Sequence, residues 1–260
     1  TYHASRVGWN SVEDQNIGKY VTNMGSTSVA FTLYGSPIND YVSAGGKADT
    51  LSTYGGNDQV YPAGGADVVD LGVGNDVVFV NTASLTEDSS INGGDGSDTL
   101  NFGTIFNLDG NSQSEDASVS IDISSIGNAF NFENIVGTRG GNDTLTGDAN
   151  ANVLIGSGGT DTLNGGEGND TLYGDWATDD TSGATYGLRY YDVSSSSYWG
   201  DDILNGGSGD DVLVGNGGDD TLDGGAGADI LTGGAGNNTF VITSSSGGDG
   251  SALEGDTITD

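Results

Sequence analysis

The chain has no cysteine at all, so no disulfide framework can compensate for a thin core and no thiolate can hold a metal. Basic residues are almost as scarce: Arg6, Lys19, Lys47, Arg139 and Arg189 stand against 38 Asp and Glu, for a formal net charge of −33. Nothing here could neutralise a phosphate backbone, which excludes nucleic acid as a partner, and an anionic membrane surface would repel the chain. No apolar run approaches the roughly 20 residues of a membrane-spanning helix. The lone histidine, His3, reads as a terminal residue rather than a ligand or a catalytic base. The first residues carry no charged segment followed by an apolar one, and the chain reads as an excerpt of something longer.

What is abundant is glycine, 48 of 260 residues, more than twice the usual share of about 7%. High net charge with much glycine and a modest apolar fraction is the composition of a disordered chain. Order therefore has to come from a pattern, from a bound ion, or from both.

The pattern is a step of nine. From Asp40 it lands on Asp49, Asp58, Asp67 and Asp76, each followed two residues later by an apolar side chain: Val42, Leu51, Val60, Val69 and Val78. It breaks after Phe79 and returns at Asp98 with Leu100. A second run passes through Asn134, Asp143, Asn152, Asp161 and Asp170, with Val136, Leu145, Leu154, Leu163 and Leu172. After an interruption it continues through Asp202, Asp211, Asp220, Asp229 and Asn238, with Leu204, Leu213, Leu222, Leu231 and Phe240. Glycines precede the acid, as in GGEGND at 165–170, GGSGDD at 206–211 and GGAGAD at 224–229.

Each six-residue glycine stretch predicts a turn, because glycine permits positive φ and close backbone approach. The three residues after it predict a short strand with its middle side chain turned inward. Two nonapeptides make one coil, so the expected fold is all-β: a parallel β-roll, or β-solenoid, in which residues 18 apart stack about 4.8 Å from each other. The expected organisation is a cap or the tail of a preceding domain over 1–33, a first array over 34–101, an irregular β connector over 102–131, a second array over 132–243 and a capping segment over 244–260. Residues 174–199 interrupt the second array as a loop extruded from one turn, which leaves Asp161 stacked on Asp202 and Asp170 on Asp211.

Two inward apolar side chains per 18 residues bury too little surface to offset the ordering of the coil. Stacking also lines carboxylates in columns, where charges about 5 Å apart repel by roughly 3 kcal/mol at an effective dielectric of 20. A divalent cation between successive turns reverses the repulsion. The turns offer Asp carboxylates and exposed main-chain carbonyls, an all-oxygen set that suits calcium over zinc, with a flexible ligand number that suits it over magnesium. The expected ligands are Asp40, Asp49, Asp58, Asp67, Asp76, Asp98, Asp143, Asp161, Asp170, Asp202, Asp211, Asp220 and Asp229. The turn glycines Gly166, Gly168, Gly207, Gly209, Gly225 and Gly227 are expected to add carbonyl oxygens. Pairs such as Asp40 with Asp58, Asp49 with Asp67, Asp143 with Asp161 and Asp211 with Asp229 are expected to face each other across the ions.

GGDGSDTLN, GGEGNDTLY, GGSGDDVLV and GGAGADILT are complete matches to G-G-x-G-x-D-x-U-x, and the chain thereby resembles the repeats-in-toxin (RTX) family. The run from Phe132, FENIVGTRGGNDTLTGDANANVL, looks like one that often opens such arrays. The resemblance covers roughly Tyr34 to Thr243 with gaps. It implies a β-roll loaded with several calcium ions in a secreted bacterial protein, usually exported by type I secretion and folding on meeting extracellular calcium. Departures are Lys47 for a turn glycine, Pro62 and Ala63 before Asp67, and Asn152 and Asn238 in place of the acid.

The expected role is a non-catalytic, calcium-dependent structural module of a surface protein of adhesin, surface-layer or extracellular filament type, located outside the cell. Its partners beyond calcium would be other copies of itself or a cell-surface polysaccharide. The alternative is the secretion and folding module of an enzyme such as a serralysin-like protease, a lipase or an alginate epimerase. An enzyme within this chain is disfavoured: no G-x-S-x-G elbow is present, and no acid and base have differing environments. The aromatics of the interruption, Trp176, Tyr186, Tyr190, Tyr191, Tyr198 and Trp199 with Arg189, suit anchoring by packing better than a sugar platform.

Overall fold

Gly-rich turns that alternate with three-residue apolar-centred segments can bury side chains only by stacking on the next copy, and the fold is what that stacking produces. The computed structural model describes residues 20–21, 30, 32–103, 117–175, 199–242 and 255–259. His3, Arg6, Lys19 and the aromatics and Arg189 of 176–198 lie outside the described residues. The chain divides into two units. The first holds the described residues up to Gly103 together with Ile126–Phe132, and the second holds 117–125 and those from Glu133 onward.

In the first unit, β1 (Tyr20–Val21), β3 (Tyr41–Ser43), β5 (Gln59–Tyr61), β7 (Val77–Phe79) and β9 (Thr99–Asn101) lie side by side in that order. Opposite them, β2 (Thr32–Ser36), β4 (Thr50–Tyr54), β6 (Val68–Asp70), β8 (Ser90–Asn92) and β11 (Ala129–Phe130) form a second row. In the second unit one row is β12 (Asn134–Val136), β14 (Val153–Ser157), β16 (Thr171–Asp175), β18 (Val212–Gly217), β20 (Ile230–Ala235) and β22 (Thr257–Thr259). The other is β10 (Ser120–Asp122), β13 (Thr144–Thr146), β15 (Thr162–Glu167), β17 (Ile203–Ser208), β19 (Thr221–Ala226) and β21 (Thr239–Val241). The pairings within each unit are parallel, and successive strands alternate between rows, which is the coil of a β-roll.

The core is the column of eighth positions. Leu33, Leu51, Val69 and Ile91 stack in one row, and Val42, Val60, Val78 and Leu100 in the other. In the second unit Leu145, Leu163, Leu204 and Leu222 stack in register, as do Leu154, Leu172, Leu213 and Leu231. All are buried. The second and fourth positions of the turns show why glycine is there. Gly207 (φ 107°) and Gly209 (φ 143°) occupy left-handed backbone, and a Cβ on them would lie 2.1 Å from Gly166 O and 1.6 Å from Gly168 O of the preceding coil.

Two features depart from the nine-residue step. The row read at Asn134 and Val136 is one residue out: Ile135, not Val136, pairs with Leu154. The turn that follows, Gly137 to Asp143, has seven residues instead of six, and the extra residue moves the inward position. The second departure is a short helix, α1 (Thr82–Glu87), where a turn is expected. It buries Leu85, and Asn128 Nδ2 closes its end by donating to the carbonyls of Leu85 and Asp88. Ile91 therefore pairs with Val69 across 22 residues rather than 18.

Candidate metal centre

Fourteen of the strands begin one residue after an Asp, and in all of them but β22 the turn before wraps that Asp so closely that the carboxylates are almost sealed from water. Asp40, Asp49, Asp58, Asp67, Asp76, Asp98, Asp143, Asp161, Asp170, Asp202, Asp211, Asp220 and Asp229 are all buried, none above 2% exposed. They form columns through a repeated contact in which the main-chain N–H of one Asp donates to Oδ1 of the next. Asp40 donates to Asp58, Asp58 to Asp76 and Asp76 to Asp98, at 2.7, 2.6 and 2.8 Å. Asp49 donates to Asp67 at 2.6 Å. In the second unit Asp143, Asp161 and Asp202 donate to Asp161, Asp202 and Asp220 at 2.7, 2.7 and 2.9 Å. Asn152, Asp170 and Asp211 donate to Asp170, Asp211 and Asp229 at 2.8, 2.7 and 2.9 Å.

The expected pairs therefore meet as main-chain N–H to carboxylate rather than as two carboxylates. In all of these acids but Asp40 and Asp49, Oδ1 accepts a main-chain N–H of the preceding coil, and Oδ2 is left for another partner. In Asp40, Oδ2 accepts the N–H of Ser36 at 2.6 Å; in Asp143 it accepts that of Thr138 at 2.5 Å; in Asp49 it takes a longer bond from Gly45 at 3.3 Å. These turns close on themselves. In Asp58, Asp67, Asp76, Asp161, Asp170, Asp202, Asp211, Asp220 and Asp229, Oδ2 is buried with no hydrogen-bond partner.

A buried, unpartnered carboxylate oxygen is costly unless a positive charge meets it. The glycine at the first position of each turn marks where that would happen. A Cβ on Gly156 would stand 2.3 Å from Asp161 Oδ2 and 2.4 Å from Gly174 O; one on Gly165, 2.3 Å from Asp170 Oδ2 and 2.6 Å from Gly206 O. Gly206 and Gly215 repeat the arrangement with Asp211 and Gly224 O, and with Asp220 and Gly233 O. The unpartnered oxygen and a first-position carbonyl of the next coil thus border the same space. Of the glycines expected from the sequence, Gly166, Gly168, Gly207 and Gly209 turn their carbonyls toward the glycines of the following coil. Gly225 and Gly227 receive those of Gly207 and Gly209.

The electrostatics fit the same account. Burial pushes Asp58 and Asp143 up to about 6, Asp76 and Asp161 up to about 8, and Asp202 up to about 9. Main-chain N–H donors work against the shift, and for all of these but Asp143 neighbouring carboxylates add to it. With that cost, the charged form needs a counter-charge in the column. Among the described residues no three His, Cys, Asp or Glu side chains gather at one point, so a cation here would take much of its shell from main-chain carbonyls. A hard ion that accepts six to eight oxygens fits such a donor set, and calcium is that ion. The nine Asp with an unpartnered Oδ2 and the first-position carbonyls are the residues that could hold calcium, and its charge would neutralise the columns.

The family model of the RTX calcium-binding nonapeptide repeat matches residues 34–69, 63–78, 85–104, 137–172, 155–184, 197–231 and 205–240, more than half of the chain. The chain belongs to the RTX calcium-binding nonapeptide repeat family. No curated protein matches it. Among the described residues no helix is long and apolar enough to cross a membrane, a statement that does not bear on β-barrels.

The RTX columns also contain acids that the nine-residue step misses. Asp88 follows α1 and accepts the N–H of Asp67 at 3.3 Å, its Oδ2 buried and unpartnered. Asp256 accepts that of Asp229 at 3.0 Å. Asp175 stands at the second position of its turn, where the repeat has glycine, and is buried with Oδ1 unpartnered. Asp256 has a readable signal, since Ile258 follows two residues later as in every other row. Asp88 and Asp175 have none in the repeat pattern.

Proposed function

We propose that this RTX β-roll is a non-catalytic structural module of a secreted bacterial surface protein, of adhesin, surface-layer or filament type, that folds when it meets extracellular calcium. The observation that carries the reading is the run of nine buried Asp whose second oxygen has no partner. Such columns are unfavourable in a calcium-poor cytoplasm and favourable outside, which couples folding to export. The two units support a division into two arrays that fold on the ion; of the stretch 102–131, β10 pairs in the second unit and β11 in the first. Exposed acids outside the columns, among them Asp70, Asp201, Asp210 and Asp219, suit display at a surface, where calcium bridges to other copies or to anionic glycans are available.

Two measurements test this. Equilibrium dialysis counts the ions: the nine Asp predict several calcium ions per chain, and a chain that binds none contradicts the reading. Immunolabelling of intact source cells, before and after a chelator wash, tests location; surface label released or disordered by chelator agrees with it. Label confined to a soluble enzyme fraction in the medium would favour the alternative, a folding module appended to an enzyme.

A further inference from the structure

The second position of an RTX turn belongs to glycine, as at Gly166, Gly207 and Gly225, all with positive φ. It is not invariant, since Thr138 and Asp148 hold it in the second unit and Ser36, Tyr54 and Ala63 in the first, and three successive coils of the second unit place polar side chains there. Ser157, Asp175 and Asn216 fill that position, and Ser157 keeps the left-handed backbone (φ 92°) that disfavours a side chain. Ser157 and Asp175 are direct cross-strand partners in β14 and β16. Ser157 Oγ and Asp175 Oδ1 are both buried, at 0% and 1% residue exposure, and neither has a hydrogen-bond partner. Asp175 is held in place by the N–H of Gly217, which donates to its Oδ2 at 3.1 Å, by the N–H of Gly200, which also donates to its carboxylate, and by Asn216 Nδ2, which donates to its carbonyl at 3.3 Å.

The surroundings are oxygen-rich. Asp175 repels Asp161 and Asp202, and Asp220 repels Asp175. Asp161 Oδ2 and Gly174 O border the space above Gly156; Asp202 Oδ2 and Gly215 O border that above Gly174. A strained serine and an extra acid in place of two glycines would each cost stability if nothing used their oxygens.

We propose that Ser157 Oγ and Asp175 Oδ1, with main-chain carbonyls of the same turns, form a further calcium position beside the Asp161–Asp202–Asp220 column, outside the repeat's own ligand set. The site rests on the calcium reading above. It takes a hard divalent cation, since every donor is oxygen and one is a carboxylate. Asp175 and Asp202 belong to one turn whose halves are separated in sequence by residues 176–199, and an ion bound by Asp175 next to Asp202 would add to the Gly200 contact that already joins the two halves.

The test is calcium binding to the full chain by equilibrium dialysis at buffered free calcium, comparing wild type with Asp175→Gly and Ser157→Gly. Both variants restore the residue that the repeat has at that position, so both should reach the wild-type far-ultraviolet circular dichroism at saturating calcium. The expected result is that Asp175→Gly holds one calcium fewer than wild type, or holds it at least tenfold more weakly, and that Ser157→Gly weakens the same ion by about threefold. Equal ion number and equal affinities in wild type and Asp175→Gly would overturn the proposal while leaving the repeat sites intact. A wild type that binds no calcium would instead overturn the calcium reading. Should Asp175→Gly not fold in calcium, Asp175→Asn keeps the side-chain shape without the charge; it is expected to lose the same ion, and unchanged binding by it would overturn the site.

Discussion

The main-chain N–H of Asp161 donates to Oδ1 of Asp202 at 2.7 Å although 41 residues separate them, the same contact that Asp143 makes with Asp161 across 18. Strand pairing continues through the same point, with Thr162 opposite Ile203 and Gly166 opposite Gly207. The insertion thus leaves no gap in the column. Replacing residues 176–199 by a single glycine restores a six-residue turn and is expected to leave the strand signal and the calcium midpoint within about twofold of wild type, as read by circular dichroism during a calcium titration.

The two oxygens of a column Asp do different work, and two substitutions separate them. Asp161→Asn keeps an acceptor for the N–H of Asp143 and removes the charge; it should raise the calcium concentration needed for folding several-fold. Asp161→Ala also strands that buried N–H, which adds about 1 to 3 kcal/mol of destabilisation. Denaturant unfolding at saturating calcium should therefore rank wild type above Asn and Asn above Ala.

Glycines differ sharply in what they permit. Gly209→Ala places a methyl 1.6 Å from Gly168 O at φ 143°, and should cost at least about 3 kcal/mol, or prevent the coil from stacking. Gly127→Ala meets nothing within 4 Å and should stay within about 0.5 kcal/mol of wild type. Thermal melts of the two variants in calcium check the contrast.

The raised carboxyl pKa values set the direction of the pH dependence. Asp76 and Asp161 near 8, Asp202 near 9 and Asp211 near 6 all lie above the ordinary value of 3.8, with burial the first cause. The folded chain thus binds protons more tightly than the unfolded one. That stabilisation is fully present below about 4 and is lost as pH rises through 6 to 9. In chelator, strand content should rise as pH falls from 9 toward 5.5. In calcium, protons compete for the same oxygens, so the calcium midpoint should rise over the same interval. Circular dichroism at fixed free calcium across that range reads both.

Much of this was legible in the sequence, and the limits are physical. Asp-x-Leu at nine-residue spacing with preceding glycines is enough to place Asp161, Asp170, Asp211 and their neighbours in columns, because a stack tolerates only residues that fit the same turn. Spacing does not say which carboxylate oxygen meets the backbone, so the N–H contact from coil to coil was not readable. The row at Asn134 slipped by one because a turn can absorb an extra residue without changing its composition. Asp88 was hidden because α1 replaces a glycine turn, and Asp175 because its position belongs to glycine in the repeat.

Calcium that meets the unpartnered oxygens of the Asp columns should be what lets the roll form. The most direct test is far-ultraviolet circular dichroism together with hydrodynamic radius during a calcium titration from chelator at pH 7.5, with magnesium as the control. The chain should be expanded in chelator and in magnesium, and should gain strand signal cooperatively with compaction in calcium. A compact, strand-rich chain in chelator, unchanged by calcium, would contradict that role of calcium.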